Sequence, residues 1–150
     1  MEKMDTKEII AQKLSDLGRE NLELKARCDE LNKKSETTID EVLIEFLNVI
    51  DTFERAEQYI QKQGLDKDEN ASKAIKRLLN AKRKALFVFE KYNVKQMVFE
   101  NNISVPDWCN ISATEPDSTK TDGEIISIDR NGYLRDGKLL RSADVVIVKN

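Results

Sequence analysis

Residues 10–31 read IAQKLSDLGRENLELKARCDEL, and the spacing of their apolar positions decides the fold. Ile10, Leu14, Leu17, Asn21, Leu24, Cys28 and Leu31 follow one another in steps of four and three. That spacing draws a narrow stripe along a helix, which only a second helix can bury. Asn21 sharpens the reading, because a lone Asn on such a seam is satisfied opposite its own twin and favours two parallel strands. The ladder predicts a parallel homodimeric coiled coil over residues 1–38. Charged residues on the remaining faces argue against the alternative, a helix lying on its own domain.

Working outward, no proline interrupts the chain before Pro106. The stripe weakens at Ser35 and Thr38, then widens through Ile39, Val42, Leu43, Phe46, Leu47, Val49, Ile50, Phe53, Ala56 and Ile60. A broad stripe belongs to a bundle rather than a two-stranded seam. One helix is predicted from about Asp5 to about Gln63, stopped by Gly64, with Gly18 as its weak spot. A second helix is predicted over Ala71–Asn93. In a dimer the two helices of each chain make a four-helix bundle over residues 39–93, with Phe46, Ile50 and Phe53 joining the ladder in pairing.

After Asn93 the pattern changes to short alternating runs separated by turns, with Asn131-Gly132 and Asp136-Gly137 as turn dipeptides that call for positive φ. Strands are predicted at Val94–Phe99, Ile111–Thr114, Glu124–Asp129, Tyr133–Leu134, Lys138–Arg141 and Val145–Val148. Tyr133, Leu139 and Leu140 are read as core, and Trp108 as a core anchor or inter-domain wedge. The fold class is α+β: a long N-terminal coiled-coil helix, a dimeric four-helix bundle and a small all-β domain over residues 94–150.

Composition narrows the function. The chain has 150 residues, 35% of them charged and 6% aromatic, with a formal net charge of -3. Residues 36–57 hold seven acids against Arg55, whereas residues 73–95 hold eight cations against Glu90. Helices of opposite sign are expected to be neighbours. The cations Lys73, Lys76, Arg77, Lys82, Arg83 and Lys84 are read as surrounding their helix, so nucleic-acid binding is weighed and set aside. Histidine is absent and the two cysteines, Cys28 and Cys109, are far apart, so no metal site or nucleophile-base pair is expected, and the glycines at 18, 64, 123, 132 and 137 form no phosphate loop. No catalytic residue, cofactor or membrane contact is expected either, and the location read from the sequence is cytoplasmic.

Two stretches carry a family resemblance. Glu45–Ala56, EFLNVIDTFERA, and Gly123–Val148, GEIISIDRNGYLRDGKLLRSADVVIV, resemble the GrpE family of nucleotide-exchange factors for DnaK-type chaperones. Phe89–Val94 adds weaker support, with Asn93 where relatives have Gly. Departures are Pro106-Asp107-Trp108-Cys109 where the family has Pro-x-x-His, Ser142 in place of a frequent Pro, and Arg77 near a frequent Gly. What the resemblance implies is a parallel homodimer without enzymatic chemistry, whose β domain binds the ATPase domain of a chaperone and promotes ADP release. It further implies chaperone contacts at Asp129, Arg130 and Ile147 on the β domain and at Lys25, Arg27, Lys33 and Lys34 on the helix. The alternative is a dimeric coiled-coil adaptor without exchange activity.

Overall fold

The computed structural model describes residues 5–150. The first four residues of the expected 1–38 segment lie outside that range. Helix α1 spans Thr6–Gln63 and α2 spans Glu69–Lys91. Six strands follow: β1 (Val94–Gln96), β2 (Cys109–Glu115), β3 (Ile125–Arg130), β4 (Tyr133–Arg135), β5 (Lys138–Arg141) and β6 (Ala143–Val148). The α+β class holds. No described helix is long and apolar enough to cross a membrane.

The chain divides into two compact units between Glu41 and Val42, a boundary that α1 crosses. In the first unit α1 is the only element and none of its described side chains is buried. The ladder residues Ile10, Leu14, Leu17, Leu24 and Leu31 are each more than half exposed, Leu14 at 65%. Pairing that seam would stabilise by roughly 1.5–3 kcal/mol for each large side chain fully covered.

In the second unit α1 turns Leu43, Leu47 and Ile50 inward, at helical spacing, while Val42, Phe46 and Val49 stay exposed. Ile50 was expected to serve pairing alongside Phe46 and Phe53. It is fully buried within its own chain and has no surface left to offer a second copy. A broad stripe leaves that partition open in the sequence, because both rows are apolar. Gly64 ends α1 in the left-handed region, φ 64°. Asp68 then caps α2, its Oδ1 accepting from the amides of Asn70 at 2.8 Å and Ala71 at 3.3 Å. The cap starts α2 two residues earlier than predicted. The opposite charges of the two helices meet at Lys82 Nζ and Glu57 Oε2, 2.6 Å apart.

Asn93 follows α2 at φ 56°. Asn is the side chain other than Gly that best tolerates the left-handed region. The β elements form two three-stranded sheets, β1-β4-β5 and β2-β6-β3. In the second, β6 lies between β2, which runs parallel to it, and β3, which runs antiparallel. Met97, Ile125, Ala143, Val145 and Ile147 make its core, with Phe99, Trp108, Cys109 and Leu134 packed against them. Trp108 is thus a core anchor, and Cys109 fills part of the same core.

Two readings of the turns and strands need correction. Leu139 is 48% exposed, because β5 is a sheet edge and Leu139 adjoins the Asp136-Gly137 turn. That turn has the expected positive φ at both residues, but Gly132 does not. Its glycine answers to space instead: a Cβ there would lie 2.5 Å from Met97 Sδ and 2.7 Å from the Ala143 amide nitrogen.

Candidate functional site

The resemblance points to the end of β3, and there the second unit assembles its densest polar network. Asp51 on α1 is the hub, with its side chain 14% exposed. Arg141 of β5 grips it as a two-pronged fork, Nη1 to Oδ2 at 2.9 Å and Nη2 to Oδ1 at 2.7 Å. Arg130 of β3 adds Nε to Oδ2 at 3.0 Å and donates from Nη2 to Asn48 Oδ1 at 2.9 Å. Asn131 donates to Glu54 Oε2 at 2.9 Å, and its carbonyl accepts from Arg141 Nη2 at 2.9 Å. A planar guanidinium fork on a carboxylate fixes both distance and angle, and with the Arg130 and Asn131 bonds it holds α1 and the β3–β4 turn in one geometry.

An aromatic column backs the network. The Arg141 guanidinium lies 5.4 Å from the Tyr133 ring centre, Tyr133 stacks on Phe89 at 6.5 Å, and Phe89 meets Phe46 at 5.6 Å. Burial pushes the Tyr133 phenol far above the ordinary tyrosine range, the Glu54 charge adds to it, and Arg141 opposes. Its hydroxyl has no hydrogen-bond partner among the described residues. No local pattern signals that Arg141 turns inward, since KLLR reads as a strand ending on a solvated cation.

The predicted site residues fall in different settings. Asp129 is exposed and accepts from Ser112 Oγ at 2.7 Å. The Arg130 side chain, 40% exposed, is shared between solvent and Asp51. A polar cleft of about 390 Å³ runs beside these two, bounded by Asn48, Arg55 and Gln58 of α1. Ile147 is different, because it packs into the sheet core and only 8% of it reaches the surface. Ile111 and Ile128, which flank β6 in register with Val145, are the exposed large apolar residues of this sheet. Lys25, Arg27, Lys33 and Lys34 are exposed on α1 in the first unit. Arg27 and Lys34, seven apart, share a face, but Lys25 and Lys33 do not lie on it.

The cations of α2 were read as surrounding their helix, and they do not. At 100° per residue, Lys73, Lys76, Arg77, Arg83 and Lys84 fall within an arc of about 120°. All five are exposed, opposite the face that buries Phe89 and half-buries Ile75 and Leu79. Lys82 alone points the other way, to Glu57. Arg77 is therefore exposed on its own chain. Among the described residues no cluster of His, Cys, Asp or Glu is arranged to hold a metal ion.

Comparison with known proteins returns one family. A family model described as GrpE matches residues 2–149. No curated protein matches the chain.

Proposed function

The chain belongs to the GrpE family, and from that premise we propose that it is a dimeric nucleotide-exchange co-chaperone acting on the ATPase domain of a DnaK-type chaperone. Membership implies a chaperone partner and dimerisation in general. The observation that carries the proposal is the extent of the match, which takes in both the helical part and the β strands.

Exchange needs no bond-making group on this chain. A protein that prefers the open form of a nucleotide cleft shifts the chaperone toward that form by its difference in affinity for open and closed states, and by no more. Linkage makes the effect reciprocal: the factor by which it weakens ADP binding is the factor by which ADP weakens its own. A rigid wedge serves this better than a pliable one, since flexing would spend the affinity difference. The Arg141 fork and the single Arg130 bond onto Asp51 supply that rigidity beside Asp129 and the cleft.

In this proposal Asp129 and Arg130 contact the chaperone directly and Ile147 supports them from the sheet core. Lys25, Arg27, Lys33 and Lys34 offer secondary contacts. Pairing uses the seam Ile10, Leu14, Leu17, Asn21, Leu24, Cys28 and Leu31, continued by Phe46 and Phe53. Support for the seam is its exposure, since a row of half-exposed leucines on an isolated helix is unfavourable in water.

Release of labelled ADP from a DnaK-type chaperone tests the reading. Saturating protein is expected to speed release, and ATP is expected to eject the protein. An unchanged release rate, together with capture of a partner indifferent to ATP, would favour the adaptor instead.

A further inference from the structure

The exposed arc of α2 has a composition that helix stability does not explain. From Asn70 to Phe89 there is no acidic residue at all. A solvated helix face ordinarily alternates signs, because cations three or four apart repel one another and acids relieve them. Here Lys73 is followed by Lys76 and Arg77 at those spacings, and no ion pair engages Lys73, Lys76, Arg77, Arg83 or Lys84 among the described residues. The arrangement costs the helix stability, and an external polyanion would offset that cost.

The arc is also separate from the face suited to pairing. Ala74, Leu78, Ala81, Val88 and Tyr92 occupy a neighbouring apolar arc. Leu78, Val88 and Tyr92 are exposed there. A second copy covering that arc would leave Lys73, Lys76 and Arg83 in solvent and put Arg77 and Lys84 at its rim, about 20° and 40° from Val88.

We propose that the basic arc of α2 binds nucleic acid through its phosphate backbone. Lys73 to Lys84 covers about 16 Å of helix axis. One strand of a duplex presents a phosphate about every 3.4 Å, so the arc faces about five charges with five cations. Beside Arg83 and Lys84 lies a shallow groove of about 480 Å³ with Leu86 and Phe87 on its wall and Asn80 and the Glu90 carboxylate completing its lining. Phe87 is 58% exposed, with Lys91 Nζ 5.2 Å from its ring centre. An apolar groove with an aromatic face between cations suits a base next to its phosphate. An acidic peptide would use the cations and have no need of the ring, which is what favours nucleic acid. The inference is independent of exchange activity.

Fluorescence anisotropy with labelled mixed-sequence oligonucleotides, single-stranded and duplex, tests it between 50 and 200 mM salt. Five phosphate contacts predict a weakening of about 100-fold to 500-fold over that range. The triple variant Lys76→Gln, Arg77→Gln, Lys84→Gln is expected to flatten the logarithmic salt slope by about 2–3. It should melt no earlier than the parent, because it removes repulsion. A control triple, Lys62→Gln, Lys67→Gln, Lys138→Gln, should leave the slope unchanged. Phe87→Ala should weaken single-strand binding about fivefold or more. The proposal is overturned by no binding at 50 mM salt, or by a control triple that loses as much as the arc variant. Equal binding of poly-glutamate or of anionic vesicles would also overturn it, reassigning the arc to an acidic polypeptide or a lipid surface.

Discussion

Between Thr6 and Glu41 the chain buries nothing on its own, whereas from Val42 onward it buries Leu43, Leu47 and Ile50 on α1, Phe89 on α2 and nearly all of β6. The first region is one element with a repeating seam, and its stability has to come from outside the chain. The second closes on itself and adds a shared carboxylate where α1 meets the strands. Apolar area is non-directional and can wait for any helix of matching pitch. A fork on a carboxylate is directional and must be completed within the chain. The two regions should therefore fail independently, at different temperatures and through different substitutions.

The strongest way to break this contrast is Asp51→Ala. It strands Arg141, whose side chain is 8% exposed, and is expected to cost about 3–5 kcal/mol in denaturant unfolding of the second region. The helix signal from residues 6–41 should be unmoved; a loss in both would show that the regions are coupled. Gly132→Ala comes next, at about 1–3 kcal/mol, because the new methyl collides with Met97 and the Ala143 backbone. Near-UV circular dichroism of Trp108 would register it as loosened packing.

These two positions also show how far a sequence can be read. The end of α1 at Gly64, the strand positions and the Asp136-Gly137 turn follow from local chemistry, and local chemistry is what a linear pattern displays. Asp51 is one acid among seven in its segment, and nothing near it in sequence reveals that its partners lie 79 and 90 residues away. The inward turn of Arg141 and the crowding at Gly132 are likewise set by distant atoms. Asp129, Arg130 and Ile147 all enter through family resemblance alone; the first two line a polar cleft, whereas Ile147 sits in the core. The arc on α2 was legible in principle, since it needs only the angle between successive residues.

Smaller changes sharpen the contrast from the other side. Gly18→Ala is expected to stabilise the first region by about 1 kcal/mol per chain, since its Cβ meets no atom within 4 Å and Gly is the poorer helix former. The early phase of a thermal scan should move up and the late phase should stay. Smallest at neutral pH is Tyr133→Phe. Because the folded state holds the phenol protonated, the unfolded chain ionises first, so parent stability is intact below pH 10 and declines as pH rises above it. The Phe variant should lack that decline, read as the urea midpoint of the second region between pH 9 and 11.

The place of β6 sets a timetable for biosynthesis. It is the middle strand of its sheet, yet it follows both neighbours in the chain, so β2 and β3 leave the ribosome with nothing to join them. Asp51 meanwhile waits 90 residues for Arg141, roughly 5–20 s at ordinary translation speed. Until then the emerging chain leaves that carboxylate to water and keeps two sheet edges unpaired, and so passes through a stage in which it is itself a client for protection.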